Sequence, residues 1–535
     1  MNNAFVIDNG RCIGCHACST ACKSENQVAV GVHRTWVKYV EQGQYPDVRR
    51  HFQVTRCNHC ANPPCVRICP TAAMYQRSDG IVEFDSDACI GCKGCMQACP
   101  YDAIHIDPET HTAAKCHMCA HRVDVGLEPA CVVVCPEHAI LFGDIDDPTS
   151  EISTHLARHD TTVRKPEQGT SPKVFYIHGT EVNLRPGVAQ RASQGMWGDV
   201  VDDHATIGDV GTSSAPLPGT SGHPRTEARA GAPQGLPEAG PLHLGGRMSE
   251  HMVQEAFNVQ HKVPWHWPIA VYVTTKHLAG GIAMILAALA LTPSLALPSS
   301  LMAGGGVLAL IGLAVTLSLL VYDLERPDRF FFLLVRPQWR SWIARAAWIL
   351  TSFGVVFGGW WFSTLAVGPL STGAQAALAL ATLPLGWLTA TYTAFLFAQA
   401  EGRDLWQAPH MPAVLTAQAL GLGATALAAL GFLGTPDAVQ GILMGMGSIG
   451  LLAGGLIQLA GDATAPASEN GRRALESLRS GPYKAHYWGG LALGALVPAA
   501  ATALGLPALA LPVACVGTTI GAWAWLEAPQ QIPNS

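Results

Sequence analysis

Cysteine is almost absent from most of this chain. Sixteen of the seventeen cysteines lie before residue 136, and Cys515 alone lies beyond it. A disulfide framework running through the whole chain is therefore excluded. Cys515 lies in an apolar segment, and we interpret it as an ordinary buried thiol.

Charge is also scarce, and the first residues do not resemble a targeting signal. Only 13% of the residues are charged, and the formal net charge of −6 gives no basic surface for nucleic acid. The first residues, MNNAFVIDNGRC, contain no basic stretch, no apolar core and no twin arginine. We therefore predict no nucleic-acid partner, and no export of the chain on a signal of its own.

The first quarter of the chain contains four regular groups of cysteines. The spacing C-x2-C-x2-C-x3-C occurs twice, a looser version occurs once, and the last group has a longer central gap. The groups are Cys12, Cys15, Cys18 and Cys22; Cys57, Cys60, Cys65 and Cys69; Cys89, Cys92, Cys95 and Cys99; and Cys116, Cys119, Cys131 and Cys135. A proline directly follows three of the groups, at Pro70, Pro100 and Pro136.

This spacing is typical of iron–sulfur ligands. Thiolates are soft ligands, and a cubane 4Fe–4S cluster takes four of them. In such a run, three cysteines bind one cluster, the fourth ligates its neighbour, and the proline ends the loop. Disulfide scaffolds need an oxidising compartment, and structural zinc usually takes cysteine pairs, so both fit less well. The sixteen cysteines therefore predict four 4Fe–4S clusters.

The fold predicted for residues 1–186 is α+β, with two ferredoxin-like dicluster units. The second and third cysteine groups are adjacent, so we expect them to share one pair of clusters. The first and fourth groups would close around the other pair. The intervening stretches GIVEFDSDAC and AIHIDPETHTAAKC alternate like short strands and turns.

Residues 4–185 resemble the four-cluster electron-transfer subunits of molybdenum and tungsten oxidoreductases, a family that includes dimethyl sulfoxide, polysulfide and thiosulfate reductases. The cysteine groups and the segment KCHMCAHRVDVGLEPACVVVCPEHAILFGDIDDPTSEIS carry this resemblance. Some relatives have tryptophan in place of Cys92 and bind a 3Fe–4S cluster there, so cysteine here implies a 4Fe–4S cluster. The resemblance implies four ligand sets, numbered first to fourth: Cys12, Cys15, Cys18 and Cys135; Cys22, Cys116, Cys119 and Cys131; Cys57, Cys60, Cys65 and Cys99; Cys69, Cys89, Cys92 and Cys95.

Residues 187–262 are predicted to be a linker. They include GTSSAPLPGTSGHPRTEARAGAPQGLPEAGP, a stretch rich in Gly, Pro and Ser without periodicity. Disorder and ordered wrapping along a partner both fit this composition. Near its end, MSEHMVQEAFNVQHK suggests a short helix lying at the membrane interface.

Residues 263–535 are predicted to be an all-α transmembrane bundle of about eight helices, with six as the alternative. Several apolar stretches reach the length of about 20 residues that spans a bilayer. The predicted spans are 267–290, 301–321, 343–367, 375–400, 411–433, 438–461, 487–504 and 507–526.

The basic residues of this half divide the loops into two sets. All ten Lys and Arg after residue 300 lie in loops on the side of the cysteine-rich domain, and the loops near Pro293, Gly368, Pro436 and Pro507 contain none. The ten are Arg326, Arg329, Arg336, Arg340, Arg345, Arg403, Arg472, Arg473, Arg479 and Lys484. The positive-inside rule places the cysteine-rich domain on the cytoplasmic side of a bacterial or archaeal membrane. In the competing account, these residues hold the cysteine-rich domain on whichever side it occupies.

The membrane half resembles the polysulfide-reductase-type, quinone-reactive membrane subunits. WHWPIAVYVTTKHLAGG, YDLERPDRFFFLLVRPQWRSWIARAAWIL and AEGRDLWQAPHMPAVL carry the resemblance. It implies that a histidine of the first helix and a tyrosine of the fourth bind the quinone carbonyls, and His266 and Tyr392 match these positions. Asp323 and Arg326 would form a supporting ion pair, and Lys276 or Glu401 would deliver protons.

Polar groups in an apolar helix are costly and often functional, so Tyr272, Lys276 and His277 join the predicted quinone site. Each also has a structural explanation. His266 could be an interfacial anchor, the tyrosines could be packing residues, and Lys276 could reach the interface with its long side chain. No histidine lies at mid-depth in the second to eighth predicted helices, so we expect no haem.

The sequence therefore predicts an electron-transfer and anchor subunit. Four 4Fe–4S clusters would pass electrons between membrane menaquinone or ubiquinone and a separate catalytic subunit carrying a molybdenum or tungsten pterin. We find no pterin site or nucleophilic triad in the chain. One alternative is a module of an energy-coupling quinol:acceptor oxidoreductase similar to alternative complex III. Against it, Asp437, Asp462 and Glu527 lie near helix ends. Another alternative is a passive membrane tether whose clusters are structural.

Overall fold

The computed structural model describes residues 1–44, 47–186, 190–197, 253–259, 264–292, 294–295, 298–366, 371–431, 434–464 and 468–535. Most of the predicted linker, residues 187–262, lies outside these ranges. The described residues form a cysteine-rich α+β region followed by a helical bundle.

Short strands form the framework of the cysteine-rich region. They are β1 Asn3–Asp8, β2 Thr35–Gln44, β3 Asp47–Arg56, β4 Met74–Gln76, β5 Val82–Phe84, β6 Ile104–Ile106, β7 Ala113–Lys115, β8 Ile140–Asp144, β9 Thr161–Thr162, β10 Val174–Ile177, β11 Gln190–Trp197 and β12 Val253–Asn258. One sheet has the order β8-β1-β10-β9, with β1 parallel to β10 and antiparallel to β8. Two small hairpins, β4–β5 and β6–β7, lie beside the cysteine groups as expected for ferredoxin-like units.

The helices of this region are short, and the first five lie within or directly beside the cysteine groups. They are α1 Ala17–Glu25, α2 Pro64–Ile68, α3 Gly94–Ala98, α4 Ala120–Val123, α5 Ala130–Val133, α6 Glu151–Arg158 and α7 Glu181–Leu184. The cores around them contain cysteines and aliphatic side chains together, so most of the cysteines lie in the interior of the region.

The segment predicted as an interfacial helix is a strand where it is described. Residues 253–258 form β12, which pairs antiparallel with β2 and parallel with β11 in a sheet of order β11-β12-β2-β3. The helix prediction was wrong for these residues because backbone pairing with the long β2–β3 hairpin outweighs local propensity. The rest of the segment lies outside the described residues, apart from Val259.

Helices account for the second half of the chain. They are α8 Trp267–Ala290, α9 Ser299–Tyr322, α10 Phe332–Val335, α11 Trp342–Ala366, α12 Thr372–Gln399, α13 Met411–Ala429, α14 Asp437–Ala463, α15 Glu469–Arg479, α16 Lys484–Leu491, α17 Val497–Ala503 and α18 Pro507–Gln530. Seven of them, namely α8, α9, α11, α12, α13, α14 and α18, are long and apolar enough to cross a membrane.

The remaining predicted span is helical but interrupted. A π-helical turn at Ala492–Leu496 separates α16 from α17, so this stretch consists of three short pieces rather than one regular helix. π-Helical turns inside helices frequently occur at functional sites.

Helix α8 is the centre of the bundle. It packs against α9, α12, α13 and α18, and most of it is buried, whereas most of α11 is not. Gly281 makes the α8–α13 packing possible because a Cβ there would collide with the carbonyl of Ala419. The side chains of α8 therefore lie at the centre of the protein, facing other helices.

Candidate cluster-binding and quinone sites

The first and fourth ligand sets each surround a small cavity. Cys12, Cys15, Cys18 and Cys135 all line one cavity of about 20 Å³. The second such cavity, also of about 20 Å³, is lined by Cys69, Cys89, Cys92 and Cys95. The fold therefore brings together cysteines up to 123 positions apart, Cys12 and Cys135, in the grouping that the resemblance implies.

The cysteines of the second and third ligand sets lie close enough to act on one another electrostatically. Burial raises the pKa of Cys22, and the neighbouring thiols of Cys116, Cys131 and Cys119 raise it further. Burial also raises the pKa of Cys65, and the neighbouring thiols of Cys57, Cys99 and Cys60 raise it further. Thiols crowded in this way are costly to ionise alone, and a bound metal centre would remove that cost.

The two C-x2-C-x2-C-x3-C loops share one backbone conformation. Gly14 and Gly91 occupy equivalent positions and have φ angles of 71° and 68°. His16 and Lys93, two residues later, have φ angles of 58° and 61°. These left-handed residues turn each loop so that backbone N–H groups face sulfur, as in the Gly91 N–H that donates to Cys89 Sγ at 3.4 Å.

The cysteine sets suit a cluster better than a single ion. Within the described ranges, no three Cys, His, Asp or Glu side chains converge closely enough to hold one metal ion. All sixteen cysteines are free thiols. Backbone N–H···S bonds, such as Ala139 N to Cys135 Sγ at 3.2 Å, are the contacts that tune iron–sulfur centres. The donor chemistry of these sites therefore fits 4Fe–4S clusters.

The loop of the fourth ligand set lies directly on the helical bundle. The indole N–H of Trp265 donates to the carbonyl of Cys92 at 3.2 Å, and Arg329 Nη1 donates to the carbonyl of Cys89 at 3.1 Å. The backbone N–H of Glu325 donates to the carbonyl of Gly91 at 3.2 Å. The fourth set is thus in contact with the bundle, whereas Cys15 of the first set is exposed.

A buried ion pair fixes this junction. Arg403 Nη2 lies 3.2 Å from Asp102 Oδ1, and the two side chains are only 6% and 8% exposed. Arg403 also donates to Gln97 Oε1 and to the carbonyl of Ile532. Asp102 accepts from the backbone N–H of Asn534 at 2.9 Å, so the residues after α18 join the same network.

Four of the predicted quinone residues lie together at the α8–α12 contact. Tyr272, Lys276, His277 and Tyr392 are all buried. Lys276 Nζ donates to the carbonyl of Ala390 and lies 5.0 Å from the centre of the Tyr392 ring. The Tyr392 hydroxyl has no hydrogen-bond partner among the described residues. An unpartnered buried hydroxyl is costly and is able to bind a ligand carbonyl.

Three other predicted quinone residues have different partners. The predicted Asp323–Arg326 ion pair is wrong: Asp323 lies 3.6 Å from Lys93, and Arg326 pairs with Asp328 at 3.0 Å. Helix α9 ends at Tyr322, so these residues are not one helical turn apart and diverge. Glu401 pairs with Arg67 of the cysteine-rich region at 2.6 Å, which gives it a role in joining the two regions.

His266 lies at the edge of the bundle. It precedes α8, is 55% exposed, and its Nδ1 lies 3.5 Å from Glu527 Oε1. Glu527 itself is only 8% exposed. His266 is therefore exposed and joined to α18, whereas Tyr392 is buried.

Sequence reasoning missed Lys93, Trp265, Asp102 and Arg403. Lys93 lies inside the CIGCKGC loop, where its pairing with Asp323 and Glu325 of the membrane half had no local signal. Trp265 and Arg403 both lie within segments that resemble the quinone-reactive membrane subunits, and that resemblance is the sequence signal that points to them.

Together, these features define a membrane-anchored iron–sulfur protein. Comparison with known proteins agrees with this class. Residues 48–145 match the family model described as a 4Fe-4S dicluster domain, and residues 255–522 match the family described as polysulphide reductase, NrfD.

Several relatives of the chain are components of reductases. A tetrathionate reductase subunit of Salmonella typhimurium is 46% identical over 201 residues, which are 37% of this chain and 80% of that protein. A polysulfide reductase component of Wolinella succinogenes is 44% identical over 176 residues, 32% of this chain and 92% of that protein. Arsenate respiratory reductase iron-sulfur subunit ArrB of a Shewanella species is 36% identical over 225 residues, which are 33% of this chain and 96% of that protein.

The chain belongs to the NrfD family of polysulphide reductase membrane proteins, and it carries in front of that domain an iron–sulfur region similar to these reductase subunits. It is a multi-pass membrane protein with 4Fe–4S clusters and a role in electron transfer.

Proposed function

We propose that this protein passes electrons between membrane quinone and a separate catalytic subunit that carries a molybdenum or tungsten pterin. The observation that supports this most strongly is the contact between the two regions. The loop of the fourth ligand set is bonded to Trp265, Glu325 and Arg329 of the membrane half, close to the start of α8. Electrons leaving that end of the cysteine-rich region would enter the bundle without another protein between them.

The sixteen cysteines would hold four clusters in the sets given above. When bound, these clusters would carry single electrons. The exposed Cys15 of the first set would lie nearest the catalytic partner, and the fourth set would lie nearest the quinone. The relatives named for tetrathionate, polysulfide and arsenate reductases support a reductase partner of this kind.

The quinone would bind at the α8–α12 contact. The free hydroxyl of Tyr392 would donate to one quinone carbonyl, and Lys276 would exchange its bond to Ala390 for a bond to the ligand. Two electrons and two protons would convert the quinone to quinol, or the reverse. No haem would be needed. The basic loops on the side of the cysteine-rich region favour the cytoplasmic face of a bacterial or archaeal membrane.

An energy-coupling role is the second candidate, and Asp462 and Glu527 are the buried carboxylates it would use. Asp462, 1% exposed, accepts from the hydroxyl of Tyr487 at 2.7 Å, and Glu527 lies beside His266. Both residues lie near the ends of α14 and α18, however, rather than at mid-membrane. This position fits proton exchange with one side better than transfer across the bilayer.

Anaerobic purification of the tagged protein from membranes tests the proposal. About sixteen irons per chain, four for each of four clusters, together with a large molybdenum or tungsten protein, are the expected result. The same iron content with multihaem cytochromes and no pterin metal would favour the energy-coupling complex. Fewer than about twelve irons would contradict the four ligand sets.

A further inference from the structure

Arg56 is a fully buried cation in the middle of the cysteine-rich region. It is the last residue of β3 and directly precedes Cys57 of the third ligand set. Its side chain is 1% exposed. A buried guanidinium is costly unless an anion or several acceptors compensate its charge. The groups that surround Arg56 therefore indicate its role.

The compensation comes from sulfur. Arg56 Nη1 donates to Cys131 Sγ at 3.1 Å, and the guanidinium carbon lies 4.4 Å from the centre of the Phe5 ring. Its Nε and Nη2 have no hydrogen-bond partner among the described residues. Cys116 and Cys18 also act on the guanidinium electrostatically. Cys131 and Cys116 both belong to the second ligand set.

Other buried cations of the chain are compensated by oxygen. Arg164 donates to the carbonyl of Asn534 at 2.6 Å, Lys115 donates to the carbonyl of Cys116 at 2.9 Å, and Arg403 pairs with Asp102. The hydrogen bond of Arg56 to a cysteine sulfur, with two further N–H-bearing nitrogens unpaired, distinguishes it from these three residues.

We propose that Arg56 sets the reduction potential of the cluster held by the second ligand set. This inference rests on the proposed assignment of four clusters. Reduction adds one electron to a cluster, and a fixed cation that also donates to a ligand sulfur stabilises the more negative state. Arg56 therefore raises the potential of that cluster. Because it also adjoins Cys57, it acts at the step where electrons pass between the two dicluster units.

Redox titration of the membrane-embedded holoprotein, followed by EPR of the reduced clusters, tests this role. In Arg56→Gln, one of the four midpoint potentials should fall, while the other three move less. Arg56→Lys keeps the charge and should shift the same cluster less than Arg56→Gln. The control is Arg49→Gln, an exposed arginine of the same strand, which should change none of the four.

A measurement on the unmodified protein covers the case in which Arg56→Gln fails to assemble. With arginine labelled by ¹⁵N in the guanidinium, pulsed EPR should detect a ¹⁵N coupling on one reduced cluster. Four intact clusters with unchanged potentials in Arg56→Gln, or no ¹⁵N coupling in the unmodified protein, would overturn the role of Arg56. Missing clusters in the unmodified protein would instead refute the proposed function.

Discussion

The Arg403–Asp102 ion pair should control how tightly the cysteine-rich region holds to the membrane half. Replacing Asp102 by Asn keeps the side-chain shape but leaves the buried guanidinium of Arg403 without its counter-charge. Removing one partner of a buried pair costs about 3–5 kcal/mol. At about 1.4 kcal/mol per factor of ten, local opening of the junction should become roughly a hundred- to several-thousand-fold more frequent.

The pair is buried enough for that magnitude, since its side chains are 6% and 8% exposed. A second ion pair at the same junction, Arg67–Glu401, has side chains that are 29% and 26% exposed. Its loss in Arg67→Gln should cost no more than about 1 kcal/mol, because solvent screens such pairs. Arg67→Gln is therefore the matched control.

Hydrogen–deuterium exchange in detergent or nanodiscs measures the opening. The amides of α3 and of residues 531–535, which meet at this network, should exchange faster in Asp102→Asn and nearly normally in Arg67→Gln. Adding Arg403→Met to Asp102→Asn should restore part of the protection, because the buried guanidinium is then removed together with its counter-charge. Exchange in Asp102→Asn within about twofold of the unmodified protein would refute the assignment of this pair as the main clamp.

Three other substitutions test the order of the clusters, the quinone site and a buried carboxyl. Cys69→Ser should remove the cluster next to the bundle, which lowers the iron content by about four per chain and abolishes reduction of the remaining clusters by quinol. Clusters that quinol still reduces in this variant would contradict the order of the clusters. Tyr392→Phe should not lower thermal stability, because the hydroxyl has no partner among the described residues. It should raise the quinol KM by roughly tenfold, as expected for one lost hydrogen bond of about 1.5 kcal/mol, and an unchanged KM would exclude Tyr392 from the site. Burial raises the pKa of Asp323 from 3.8 to about 6 despite the lowering effect of Lys93. The folded protein therefore keeps a proton that the unfolded chain releases. The resulting contribution to stability, roughly 3 kcal/mol, is full below pH 3.8 and declines until about pH 6. The Tm of Asp323→Asn relative to the unmodified protein should accordingly rise between about pH 4 and 6 and then level off, whereas a pH-independent difference would contradict the burial of this carboxyl.

The parts of the fold that the sequence could predict are those with a local physical signal. Cysteine spacing is such a signal, because one loop supplies three ligands at intervals of three residues. Apolar length is another, and α8, α9, α11, α12, α13, α14 and α18 lie where it predicted them. The stretch from α16 to α17 also lies where predicted, but hydropathy gives no indication of its π-helical turn.

Long-range partners had no such signal. Lys93 and Asp323 are 230 positions apart, and no local pattern links them. The sequence favours the nearby Arg326 as the partner of Asp323 for this reason. The interfacial helix was predicted from local composition, whereas β12 depends on pairing with β2, more than 200 residues earlier. The sequence around Arg56 does not indicate its contact with Cys131, because that contact forms only in the folded protein. The assignment of single quinone residues stays a prediction, because a tyrosine that only packs in the core and a tyrosine that binds quinone look the same in the sequence.

The most direct test of the account is anaerobic rapid mixing of quinol with the oxidised protein in proteoliposomes, with freeze-quench EPR. We predict that quinol reduces iron–sulfur clusters of this chain without any other protein present, and that Tyr392→Phe slows this reduction while dithionite still reduces every cluster. Clusters that dithionite reduces but quinol leaves oxidised, at any quinol concentration, would contradict electron transfer to the quinone pool and would favour a passive membrane tether.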